Sequence, residues 1–179
     1  QAAPAKPAPV ETKPEAVRPP AGMDGWENPG AWGRSGDWWV SQGGEYVPYR
    51  ITPTTGTFVF SARVYKGRRL QWFIRYLDPK SHVLFQMDKK NFYRKLVGGG
   101  KTTELAKIPH GLPEKDGVEA TIQIDMRNES IVHYIRKGNE WVSVDAWNVP
   151  GGDLDKGRFG FFIPGRDQYG LLHFNFYGK

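Results

Sequence analysis

Eight side chains carry groups that could work together chemically: Arg75, Gln86, Asp88, Asp145, His173 and Asn175, with the rings of Phe73 and Trp147. Arg, Asp, Asn and Gln present planar pairs of donors or acceptors that match adjacent hydroxyls two at a time. An aromatic face receives the C–H side of a sugar ring. The mixture suits recognition of a polyhydroxylated ligand rather than a reaction. What groups the eight is parity: each stands out of phase with an apolar alternation in its own segment, so each is expected to point away from a core. The competing reading is that these groups satisfy one another beneath a tryptophan-rich segment, as a buried polar network.

Readings that require chemistry find little support. Glycoside cleavage needs two carboxylates placed on either side of the bond. The nearest pairs are Glu114 with Asp116, in an expected loop, and Asp153 with Asp155, in a Gly-rich turn; Glu119 and Asp125 stand six apart on one alternating strand. Asp88 or Asp145 acting with His173 is the enzymatic alternative. Histidines 82, 110, 133 and 173 have no H-x-H or H-x-x-x-H spacing, and there is no Cys, so the zinc ligand sets are missing. Asp153-Leu-Asp155 offers calcium its carboxylates, although turns collect Asp for their own hydrogen bonds. No cofactor is expected beyond that calcium alternative. No Gly-x-Ser-x-Gly elbow occurs. Gly98-Gly99-Gly100-Lys101-Thr102-Thr103 lacks phosphate-loop spacing and reads as a hairpin turn.

Strands must position these residues. Alternation and breakers predict strands over 37–42, 46–51, 57–65, 69–77, 82–88, 91–97, 101–107, 117–126, 130–137, 140–147, 158–163 and 170–177. No 3.6-residue pattern of useful length appears, which predicts an all-β, two-sheet antiparallel sandwich. Parity assigns Trp72, Ile74, Tyr76, Val83, Phe85, Met87, Val142, Val144, Ala146, Leu172, Phe174 and Phe176 to the space between the sheets. Trp26, Trp32, Trp38 and Trp39 sit among Gly and Asn and read as an irregular segment laid over the sandwich. If Trp38 and Trp39 lie on a strand, one of them faces inward.

Composition bounds the rest. The 179 residues suit one folded domain, expected over 23–179. Residues 1–22 hold six of the fourteen prolines and no aromatic, and read as an extended tether to a membrane anchor or a neighbouring domain upstream. No apolar run is long enough to span a bilayer. The net charge of +6 is spread over turns and outward positions. Alternating hairpins would bring Lys66, Arg68 and Arg69 to the same end as Lys89 and Lys90, forming a basic rim suited to an acidic polysaccharide or an anionic surface. Nucleic acid is the weaker partner, since no aromatic-interleaved basic groove accompanies the rim.

The order of segments resembles the concanavalin A-like lectin/glucanase sandwich (LamG-like jelly rolls), above all the bacterial domains similar to 3-keto-disaccharide hydrolases. Trp38-Trp39-Val40 and Gly43-Gly44-Glu45 precede Phe58-Val-Phe-Ser-Ala-Arg63. Trp72-Phe-Ile-Arg-Tyr-Leu-Asp78 and Phe85-Gln-Met-Asp88 follow, then the hairpin Ile131 to Val144. Gly157-Arg-Phe-Gly-Phe-Phe162 and His173-Phe-Asn-Phe-Tyr177 close the series. The resemblance covers about residues 37–178 and implies a jelly roll that meets carbohydrate, outside the cytoplasm. It also implies a departure. The glucanases' Glu-x-Asp-x-Glu triplet is absent, and Leu84 stands where the hydrolase pattern expects Glu. The resemblance therefore implies a non-catalytic, lectin-like member; an atypical glycosidase and a structural or protein-interaction domain are the alternatives.

Overall fold

The computed structural model describes residues 25–42, 45–49, 55–113, 117–127, 129–149 and 157–178. The expected tether, the Asp153/Asp155 turn and the Glu114/Asp116 pair lie outside them. Thirteen strands occur among the described residues, all of their pairings antiparallel. They are β1 (Trp32–Ser35), β2 (Trp38–Ser41), β3 (Tyr46–Pro48), β4 (Gly56–Lys66), β5 (Leu70–Asp78), β6 (Ser81–Met87) and β7 (Asn91–Gly98). The chain continues with β8 (Lys101–Pro109), β9 (Glu119–Arg127), β10 (Ser130–Lys137), β11 (Glu140–Asn148), β12 (Arg158–Phe162) and β13 (Gln168–Gly178). They form two sheets, in the orders β1-β2-β13-β4-β9-β10-β11 and β3-β12-β5-β6-β7-β8. This is the all-β, two-sheet antiparallel sandwich that the alternation predicts, with the jelly-roll form that the resemblance implies.

The core follows from period-two patterning. Phe58, Phe60 and Ala62 on β4, and Ala120, Ile122, Ile124 and Met126 on β9, face Trp72, Phe85, Phe159 and Phe161 across the sandwich. Phe58 stacks on Phe159 with centroids 4.4 Å apart. Each such side chain, fully buried, contributes about 1.5–3 kcal/mol of transfer free energy. Of the two adjacent tryptophans, Trp39 packs against the core and Trp38 faces outward, as strand parity requires.

The leading segment is more regular than its Gly and Asn content predicts. Trp32 begins a strand, and Trp26 is buried against Trp32, Tyr49, Phe161 and Phe174. These tryptophans close the open side of the sandwich.

Bulges overturn parity at three places. Opposite the junction of His133 and Tyr134, β11 accommodates one extra residue, so Val142 lies beside Ile135 while Asp145 lies beside His133. Asp145 and Trp147 are thereby turned inward and Ala146 outward, the reverse of the expected faces. On β5 the ladder to β6 is irregular between Ile74 and Asp78, and Arg75 adopts φ 58°. Tyr76 consequently leaves the core and stacks on Phe73, outside the sheet, at 4.5 Å. Gly157 crosses this point at φ 84°, where a Cβ would overlap the Arg75 and Tyr76 backbone. On β13 a bulge at Leu172 leaves Leu171, Phe174 and Phe176 inward.

Candidate functional site

The eight residues singled out by parity do not converge. Phe73 and Gln86 stand on the outer face of the six-stranded sheet. His173 and Asn175 stand on the outer face of the other sheet, paired with Ser61 and Val59. Asp145 and Trp147 lie between the sheets, Asp88 caps a turn, and Arg75 is half-buried at its bulge. Alternation separates inside from outside, but these outsides are opposite surfaces of one molecule.

Most of these groups are tied into their own surroundings. Phe73 is 0% exposed, covered by Tyr46, Tyr76 and His82, so it is a floor and not a platform. Gln86 is buried and accepts a 3.1 Å hydrogen bond from Lys95. Burial pushes the Lys95 ammonium below its usual pKa, and the nearby Arg69 charge adds to this. Asp145 accepts two hydrogen bonds from one Arg94 nitrogen, at 2.6 and 2.7 Å, and the Arg94 guanidinium lies 4.9 Å from the centre of Trp147. Burial raises the Asp145 pKa, and Arg94 offsets part of that rise. Beside this pair His133 is wholly enclosed. Its Nε2 accepts a 3.1 Å hydrogen bond from Trp72 Nε1, and desolvation together with Arg94 lowers its pKa to about 3. The pair and His133 form a polar strut inside the sandwich.

Asp88 organises the turn after β6. Its Oδ1 accepts from the Lys90 and Asn91 amides at 2.8 and 2.7 Å, and its Oδ2 accepts from Tyr93 at 2.9 Å. Burial pushes its pKa up, but the two amides and the hydroxyl outweigh burial and leave it lowered. A carboxylate held in this way is a poor general acid. Asp145 and His173, the alternative catalytic pair, face opposite ways on strands four positions apart in one sheet, roughly 19 Å by strand spacing.

A different constellation occupies one end of the sandwich. Register brings the β4–β5 turn (Lys66, Arg68, Arg69) beside the β6–β7 turn (Lys89, Lys90), because Leu70 pairs with Met87. The β10–β11 turn and the crossing from β8 to β9 lie at the same end, and all five cations are exposed. Here a cavity of about 600 Å³ opens. One side is the outer face of the seven-stranded sheet: Trp38, Ser61, Glu119, Thr121 and Arg136. Opposite are Asp88, Lys89 and the segment from His110 to Pro113, with Lys137 and Gly138 at the rim.

Local sequence explains this wall. Ala62, Ala120 and Ile135 face inward, so Ser61, Thr121 and Arg136 must face out. Ser61 and Thr121 share a 2.9 Å hydrogen bond, and His173, beside Ser61, extends the same row. Trp38 lies over Gly170, where a side chain would collide with Tyr65 and crowd the Trp38 ring. The Arg63 guanidinium sits 3.9 Å from the Trp38 ring centre and pairs with Glu119 at 3.2 Å. Buried His110 holds the opposite wall. Its Nδ1 accepts from the Leu112 amide at 3.1 Å, which leaves Nε2 to donate to the Asp88 carbonyl at 2.9 Å. Of the residues that line the cavity parity marked only Asp88, and the charge pattern marked Lys89. Ser61, Thr121 and Arg136 were legible as outward residues, but nothing in one strand says that they share a wall with Trp38.

Among the described residues no group of three His, Asp, Glu or Cys side chains is arranged to hold a metal ion, and no helix is long and apolar enough to cross a membrane. No protein-family model matches the chain, and no curated protein matches it in sequence. Solved structures do match in fold. The carbohydrate-binding module CBM66 from Bacillus subtilis aligns with a TM-score of 0.66 at 12% identity, over 87% of this chain and 97% of that one. The xylan beta-1,4-xylosidase from Bacillus halodurans aligns at 0.61 and 15% identity, over 98% of this chain and 41% of the xylosidase. The GH43 protein BlXynB from Bacillus licheniformis aligns at 0.60 and 9% identity, over 87% of this chain and 37% of that one. The chain thus spans nearly the whole of the module and about two fifths of each larger protein. The likeness is one of fold: a two-sheet jelly-roll sandwich, as the order of segments implied.

Proposed function

We propose that this chain is a non-catalytic carbohydrate-recognition module whose ligand occupies the cavity at the basic end of the sandwich. The observation that carries the reading is the composition of that cavity: the Trp38 indole, two adjacent hydroxyls, a carboxylate and guanidinium or ammonium groups around about 600 Å³. A sugar ring requires this combination of an apolar face with planar and hydroxyl hydrogen-bonding partners. The likeness to a free-standing carbohydrate-binding module over almost all of that module's length supports the same reading. The state of the carboxylates supports binding without turnover: in the cavity Asp88 is fixed by three hydrogen bonds that lower its pKa, and Glu119 is paired with Arg63. In this reading the Pro-rich residues 1–22 serve as a tether outside the cytoplasm and present the module to a polysaccharide.

The test is affinity electrophoresis or a glycan array with wild type, Trp38→Ala and Thr121→Ala. Both substitutions are expected to weaken binding about tenfold or more while the circular dichroism spectrum is retained. Trp147→Ala, inside the sandwich, is expected to lower the melting temperature and leave affinity within about threefold once folded. Unchanged affinity in Trp38→Ala and Thr121→Ala would remove the ligand from this cavity.

A further inference from the structure

Among the described residues the carboxylates and cations that line the cavity are unevenly matched. Glu119 is neutralised by Arg63 at 3.2 Å, and Asp88 accepts hydrogen bonds from the Lys90 and Asn91 amides and the Tyr93 hydroxyl. Lys89, Arg136 and Lys137 line the same space, three cations against the single unpaired carboxylate of Asp88, and form no ion pair among the described residues. Arg136 is held in place, with its Nε donating to the Gly138 carbonyl at 3.3 Å and its guanidinium 5.8 Å from the Trp141 ring centre. The neighbouring turns add Lys66, Arg68 and Arg69, so cations outnumber the carboxylates at this end, where Asp167 lies against Gly67 and Glu140 begins β11. A concave site with surplus positive charge concentrates anions and disfavours cations.

We propose that the cavity selects anionic glycans, with Lys89, Arg136 and Lys137 as counter-ions to carboxylate or sulfate groups on the sugar chain. The proposal rests on the glycan-recognition reading above. It makes the interaction ion-pair in character, bidentate at Arg136 and compact at the two lysines. It also makes binding sensitive to salt, since exposed charges are screened over about 8–10 Å at physiological ionic strength.

Matched ligand pairs test it. An oligogalacturonide is compared with its methyl ester, and dextran sulfate with dextran, by isothermal titration at low and at physiological salt; inorganic sulfate is the free-anion arm. Expected is a preference of about tenfold or more for an acidic member over its neutral partner, shrinking as salt rises. The two pairs separate carboxylate from sulfate recognition. The triple variant Lys89→Gln, Arg136→Gln, Lys137→Gln should bind the acidic and neutral members alike. The charge-matched control Lys66→Gln, Arg68→Gln, Arg69→Gln should keep most of the preference. Equal binding of acidic and neutral partners overturns the selectivity and leaves glycan recognition standing. Equal loss in the control overturns the assignment to the cavity, and binding of inorganic sulfate alone overturns the glycan as its source. Failure of every polymer, neutral and acidic, overturns both readings.

Discussion

At the residue scale, His133 shows how far a side chain's role depends on what closes over it. In sequence it is one of four scattered histidines. In the fold it is enclosed by Phe85, Phe92 and Trp72 and accepts a hydrogen bond from the Trp72 indole. Burial holds its pKa at about 3, against about 6.5 for an unconstrained histidine. The unfolded chain therefore binds a proton between those values while the folded chain does not. Stability contributed by neutral His133 is fully present above pH 6.5 and falls as pH drops towards 3, by up to about 1.4 kcal/mol per pH unit. His133→Gln keeps an acceptor for Trp72 without titrating, so it is expected to flatten the dependence of the urea midpoint on pH over this window. A slope equal to wild type would assign acid sensitivity to other groups. Asp88 acts lower on the scale: its depressed pKa gives stability that is present above its unfolded pKa and lost as pH falls further.

At the scale of elements, irregularities in the strands decide what faces where. The one-residue excess in β11 brings Asp145 inward to Arg94, and the break in β5 sends Tyr76 out to cover Phe73. The outer aromatic group of Tyr46, Phe73, Tyr76, His82 and Phe162 depends on a bare backbone at Gly160. A methyl there would overlap the Phe73 ring and the Val47 carbonyl. Gly160→Ala is accordingly expected to destabilise the domain by about 1–3 kcal/mol, read from chemical denaturation. Loss of less than about 0.5 kcal/mol would show that β12 and β3 can separate freely. A sequence reader sees Gly160 only as a weak point in a strand; its purpose appears when the neighbouring ring is in place.

At the scale of the whole molecule, the cavity draws its walls from both sheets. Ser61, Thr121 and Arg136 come from one, Asp88 and Lys89 from the other, and the crossing segment from His110 to Pro113 closes it. A ligand that bridges these walls holds the folded sandwich together and has no counterpart in the unfolded chain. At a hundred times its dissociation constant it would add about 2.7 kcal/mol, a rise of roughly 5–10 °C in melting temperature. Differential scanning calorimetry against increasing acidic oligosaccharide checks this. A melting temperature that stays flat at saturation would place the ligand away from this junction.

The sequence by itself determined the architecture. Strict alternation in Glu119–Met126 and the apolar phases of Trp72, Phe85, Phe174 and Phe176 can be satisfied only by strands packed face to face, because side chains with a period of two must divide between a core and a solvent face. It also placed the basic turns at one end, since hairpins reverse direction at each turn. Tertiary structure alone decided which outward residues are neighbours. Parity is a local, two-valued property, whereas a sandwich has two outer faces and two ends, and a single bulge reverses the parity of everything after it. Gln86 and Asn175 therefore stand on opposite surfaces and Asp145 and Trp147 stand inside, while Trp38, Thr121, Arg136 and Lys89, far apart in the chain, meet around one cavity.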